Sequence, residues 1–140
     1  MDWASIFAHR MSRMKASEIR DLLKLLDQPG TISFGGRIPD PALLPVAAWQ
    51  NALARDMPQG VTWTRPEGGM FVWLTLPETI DGAELLAHAL KHEKVDFVPG
   101  RAFFADGSNG NTIRLSFSLH EKDVADEGIR RIGQAIRAMP

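Results

Sequence analysis

The 140-residue chain contains neither cysteine nor tyrosine. Without cysteine there can be no disulfide frame, no thiol nucleophile and no cysteine-ligated metal, a usage that fits the cytoplasm. No apolar run reaches the roughly 20 residues of a membrane helix. The N-terminus, Met-Asp-Trp-Ala-Ser-Ile-Phe, lacks the basic-then-apolar layout of a secretory leader. An excess of one charge is missing too. The formal net charge of −1 gives no general pull toward nucleic acid or an anionic membrane, so neither is expected as a partner. What is present is ordinary for a globular protein, with 44% hydrophobic and 24% charged residues. That length supports one domain, 1–140, with a core of its own. There is no internal repeat and no low-complexity segment.

The periodicities alternate between helix and strand. Asp2–Leu26 reads as helical, with a break near Lys15–Ser17 and apolar positions at Ile19, Leu22, Leu23 and Leu26. Trp3 and Phe7 place large rings on its short first piece, the kind of arm that lies on a partner surface. Gln28-Pro29-Gly30 stops the helix, and Thr31–Phe34 is extended. Gly35–Pro45 holds paired glycines and three prolines, which excludes regular structure. It is either a proline-stiffened turn or a backbone that can approach a ligand closely. Val46–Met57 predicts a helix with Ala48, Leu53 and Met57 inward. Val61–Thr64 and Met70–Leu76 predict a hairpin. In its second strand Phe71 and Trp73 share one face and Val72 and Leu74 the other, so it should be central or covered on both sides. Asp81 caps the next helix, with Leu85, Leu86, Ala89 and Leu90 buried. Val95–Val98 is a short strand. Val124, Ile129, Ile132 and Ile136 are the expected core positions of the last helix. The order argues an α+β fold: a small antiparallel or mixed sheet of about four strands with helices on one side.

Asn111–Leu119 carries the most chemistry. Ile113, Leu115, Phe117 and Leu119 alternate with Thr112, Arg114, Ser116 and Ser118, the period of a half-buried strand. Arg114 stands on the polar face among short hydroxyls. A guanidinium so placed suits a carboxylate. The same pattern also describes an exposed strand arginine in a surface ion pair.

Other short motifs read more plainly. Ser12-Arg13-Met14-Lys15 matches a serine–x–x–lysine string but lacks its supporting motifs. His88 and His92 have the spacing of two zinc ligands without a third, so helix-surface histidines are expected and no metal site. Gly68-Gly69 lies between strands, opens no helix and reads as a hairpin turn, not a phosphate loop.

Five blocks together point to a family. Thr64-Arg65-Pro66-Glu67-Gly68-Gly69-Met70-Phe71-Val72-Trp73-Leu74 resembles the C-terminal hairpin of class I pyridoxal-phosphate (PLP)-dependent aminotransferases. Val95–Phe103, with its Val98-Pro99-Gly100-Arg101 turn, resembles their next strand, and Asn111–Ser118 their arginine strand. Ser17–Lys24 and Ile32–Pro45 resemble the N-terminal segment of the 2-aminoadipate branch. The resemblance divides the chain into an N-terminal segment, 1–48, and a small-domain segment, 49–140. It implies that Arg114 receives the substrate α-carboxylate, that Gly35 and Gly36 form the substrate-side glycine loop, and that Arg20 meets an acidic side chain. Arg37 departs from the family pattern, at a place where a bulky side chain would fill the site or point out.

The resemblance also implies a large cofactor domain, for which no stretch between the two segments is long enough; the join falls around Ala47–Asn51. Lys15, Lys24, Lys91, Lys94 and Lys122 sit on predicted helices or their ends, outside the family's Schiff-base context. The family's cofactor-contacting tyrosine is absent. PLP is therefore the parent family's cofactor, and none is expected on this chain alone. The expectation is a truncated aminotransferase, inactive by itself, with no catalytic or cofactor-binding residue assigned. In the parent the partners are an amino acid and a 2-oxo acid, and a homo-oligomer is expected. The alternative is a non-catalytic, self-associating structural or binding domain.

Overall fold

The computed structural model describes residues 30–34, 46–66, 69–118 and 120–140. The expected α+β arrangement is present. Strands β2 (Thr62–Trp63), β3 (Phe71–Thr75), β5 (Val98–Pro99) and β6 (Thr112–Ser116) form an antiparallel sheet in the order β2-β3-β6-β5. Helices α1 (Val46–Asp56), α2 (Gly82–His88) and α3 (Lys122–Ala138) share one core with its Val72, Leu74, Ile113 and Leu115 face. The hairpin register sets Thr62 opposite Thr75 and Trp63 opposite Leu74. It runs one residue further, because the Thr64 hydroxyl accepts from the Trp73 amide at 3.1 Å.

Three expectations need correcting. The run Val95–Val98 is not one strand. Its first half, β4 (Val95–Asp96), pairs in parallel with β1 (Ile32–Ser33), and only Val98 and Pro99 join the larger sheet. Phe97, fully buried, sits at the changeover. A run apolar on both faces can serve two sheets, which alternation does not reveal. On α1 the inward ring is Trp49, at 3% exposure, while Ala48 is only half-buried. On α3, Val124 is 41% exposed and Ala125 takes the buried place, because small residues let this helix approach closely. Strand β3 is central as expected, yet Phe71 and Trp73 are half-buried and Thr75 exposed.

Helix α2 starts as its cap predicts. The Asp81 carboxylate accepts from the amides of Ala83 at 2.8 Å and Glu84 at 3.3 Å, filling two of the orphan donors of the first turn. The helix then widens into a π turn over Ala89–Glu93 and ends at Lys94, a left-handed residue with φ of 55°. The Lys94 carbonyl is thereby turned toward β1, where it accepts from the Ile32 amide at 2.9 Å.

Helix α3 lies close against its neighbours because it carries glycines where others would carry side chains. A Cβ on Gly128 would fall 2.6 Å from Cε2 of Phe34, and one on Gly133 would strike the Asp56 carbonyl at the end of α1. Glycine in a helix costs about 1 kcal/mol relative to alanine. Here that is offset by seating the fully buried Phe34 ring. On its outer side Glu127 accepts from Arg130 at 2.7 Å and from Arg131 at 2.8 Å. Arg131 also reaches the carbonyls of Gly30, Glu93 and Lys94, so it ties α3 to both partners of the parallel pair.

Two predictions follow from this packing. Gly128→Ala should lower stability by about 1–3 kcal/mol despite its better helix propensity, since the Phe34 ring has no room to retreat. A urea midpoint that stays level or rises would refute the close approach. The hydrogen bonds from Arg130 and Arg131 hold the Glu127 carboxyl down from an ordinary 4.5 to about 2. A depressed carboxyl contributes stability that is present above pH 4.5 and lost as pH falls toward 2. Glu127→Gln should therefore flatten the dependence of the unfolding midpoint on pH across that window and leave its shape near neutrality unchanged.

Candidate functional site

Arg114 stands at the centre of β6, opposite Trp73 on β3 and Val98 on β5. Its chain neighbours Ile113 and Leu115 are fully buried in the core. The pleat therefore sends the Arg114 side chain to the other face of the sheet. On that face it meets rings. The guanidinium carbon lies 4.0 Å from the centroid of Phe71 and 4.6 Å from that of Phe103. Phe103 in turn packs edge-on against Trp73, with centroids 5.2 Å apart. Partial burial draws the guanidinium pKa downward. An arginine remains charged through such a shift. A cation with part of its water removed attracts an anion more strongly than a solvated one.

The hydroxyls beside Arg114 are enclosed and not solvated. Thr112 is 9% exposed and its hydroxyl donates to the Asn109 carbonyl at 2.8 Å. Ser116 and Ser118 are buried, with their oxygens 3.0 Å apart. Arg114 thus stands among rings and buried hydroxyls, not on a face of solvated hydroxyls.

Phe103 arrives from outside the sheet, on a 3-10 turn over Gly100–Phe103. Three contacts place that turn. A Cβ on Gly100 would lie 2.8 Å from Cβ of Thr112, so only glycine lets the turn press on β6. Arg101 pairs with Asp81 at 2.6 Å, through the carboxylate oxygen that α2 does not use for its cap. The Phe104 amide closes the turn on the Arg101 carbonyl at 3.2 Å.

Of the candidate substrate-binding residues, Arg114 alone lies among the described residues. Arg20, Gly35, Gly36 and Arg37 lie outside the described residues, as do Trp3, Phe7 and Ser12–Lys15. His88 and His92 stack with centroids 4.5 Å apart. Among the described residues no three histidine, aspartate or glutamate side chains are placed to hold a metal ion together. Away from Arg114, a concavity of about 640 Å³ is lined by Glu78, Asp81 and Glu84 with Arg101, a lining whose acidic side chains repel a carboxylate.

The described lysines do not fit PLP. A Schiff-base lysine works from an enclosed site. Lys91, Lys94 and Lys122 are all exposed, and Lys122 is paired with Asp126 at 3.1 Å. The residues that sequence reasoning missed are Phe71, Trp73 and Phe103 as the walls around Arg114. Phe71 and Trp73 were visible as a shared face, and pairing that face with the Arg114 face was the available signal. Phe103 offered none, because its place depends on the turn.

No family model matches the chain. The curated 2-aminoadipate transaminase of Thermus thermophilus is 45% identical over 92 residues, 66% of this chain and 23% of that protein. Aromatic-amino-acid aminotransferase 1 of Thermococcus litoralis is 48% identical over 90 residues, 64% of this chain and 21% of that one. In three dimensions, the kynurenine aminotransferase of Pyrococcus horikoshii aligns with a TM-score of 0.63 at 46% identity, over 66% of this chain and 22% of that one. The alpha-aminoadipate aminotransferase of Thermus thermophilus, crystallised with N-(5'-phosphopyridoxyl)-L-leucine, aligns with the same TM-score at 44% identity and covers 66% and 23%. The chain thus spans less than a quarter of the length of these relatives. Its homologues and structural neighbours are class I PLP-dependent aminotransferases, and its α+β fold matches their small domain.

Proposed function

We propose that the chain serves PLP-dependent transfer of an amino group between an amino acid and a 2-oxo acid, and that it supplies the side of the site that receives the substrate carboxylate. The observation that carries this reading is the half-buried guanidinium of Arg114, presented on a strand face away from the core in a chain related to aminotransferases. A planar fork held on a rigid strand fixes both the position and the orientation of a carboxylate. In this reading 49–140 forms the small-domain segment and 1–48 the N-terminal segment, whose Gly35, Gly36 and Arg20 complete the substrate side. Turnover requires a lysine and an acid placed around the cofactor. The exposed Lys91, Lys94 and Lys122 do not supply that lysine. The chain is then a truncated aminotransferase that binds but does not convert, working in a cytoplasmic homo-oligomer.

One observation favours a second reading, a non-catalytic domain that associates with its own kind. Phe103 and Phe104 are 41% and 37% exposed side by side. Adjacent exposed rings are commonly covered by a partner.

Calorimetric titration with pyruvate separates the two. Removing a charge-assisted carboxylate contact costs about 1.5–3 kcal/mol, so Arg114→Gln should weaken binding roughly 10- to 100-fold. Equal affinity in both proteins would refute the carboxylate role. The chain incubated with PLP, an amino donor and a 2-oxo acid should form no new 2-oxo acid from the donor; steady product formation would refute its inactivity.

A further inference from the structure

We propose that Phe103 is a positioning residue for Arg114, and that the Asp81–Arg101 ion pair holds it in place. This rests on the carboxylate role of Arg114 proposed above. An arginine side chain has a long stem and many rotamers, and whatever fixes its plane reduces what a ligand must order on binding. A ring does this through the guanidinium face, whereas a carboxylate docks on the N–H edge. Phe71 belongs to β3 and comes with the sheet. Phe103 does not. It is 41% exposed, so packing holds one part of the ring and leaves the other in solvent. Its position follows from backbone and charge: Gly100 pressed on Thr112, Arg101 on Asp81 at 2.6 Å, and the Trp73 ring at its side. Asp81 caps α2 with one oxygen and holds the turn with the other, so the start of that helix and the pose of Arg114 share one carboxylate.

The test follows the Arg114 side-chain N–H by nitrogen-edited NMR in the 140-residue chain, alone and titrated with pyruvate. Ring currents from Phe71 and Phe103 should shift that resonance in the wild type. Phe103→Ala and Phe103→Leu should each move it toward an ordinary arginine position and weaken pyruvate binding about three- to tenfold. Phe103→Trp should restore both. Arg101→Gln should shift the resonance in the same direction by a smaller amount. A merely structural Phe103 would disturb amides throughout the sheet and would not be rescued by tryptophan. If Phe103→Leu leaves the resonance and the affinity unchanged, the positioning role is overturned; an unchanged Arg101→Gln overturns the part given to the ion pair. Should Arg114→Gln bind pyruvate as the wild type does, the carboxylate reading itself fails. Loss in Arg114→Gln with no change in Phe103→Leu removes only the positioning role.

Discussion

Phe34 ties together three parts of the chain that lie far apart in sequence. Its amide donates to Asp96, to the backbone carbonyl at 3.2 Å and to the carboxylate at 2.7 Å. Its carbonyl accepts from Ser116 at 2.9 Å, two residues beyond Arg114. Its ring meets Trp49 edge-on at 5.2 Å and His120 at 5.6 Å, and it rests on α3 at Gly128. One buried residue thus joins the parallel pair, the end of the arginine strand, α1 and α3. His120 supports the same point, since its Nε2 lies 2.6 Å from the Ser33 carbonyl and must carry the proton that this acceptor requires. If Phe34 moved, the parallel pair and the end of β6 would lose their common anchor.

That anchoring is what allows the sheet to have two dissimilar faces. The face of Val72, Leu74, Ile113 and Leu115 is closed by helices and supplies the stability. The face of Phe71, Trp73 and Arg114 is left half-open among the described residues. A cation on it is partly stripped of water by the rings beside it. Burying the same arginine among the core residues would leave a charge that only another buried charge could balance. The strict two-residue period of β6 separates these outcomes by a single position.

Much of this was legible in the residues. The hairpin, the Asp81 cap, the buried Leu85, Leu86 and Ala89 and the inward Ile113, Leu115 and Phe117 all follow from local pattern, since each depends on neighbours within a few positions. The family was legible as well, because its blocks recur in order. The split of Val95–Val98 between two sheets was not, nor was Trp49 in the core. A continuous apolar run has no period to read, and a large ring on a helix can face the core or a partner with equal ease. Val124 failed for a related reason. Its spacing suits a core position, but the small Ala125 and Gly128 turn the helix so that their side packs inward.

By itself the sequence determined the kinds of element, the alternation that puts Arg114 opposite the core side chains, and the absence of a cysteine or tyrosine from any chemistry the chain performs. These are properties of short windows and of composition. Only the tertiary structure decided what surrounds the guanidinium. The register of β3 against β6 brings Trp73 level with Arg114, and the Asp81–Arg101 link, spanning 20 residues, swings Phe103 over it. Such contacts join residues that no local period relates, so they exist only once the chain has closed on itself.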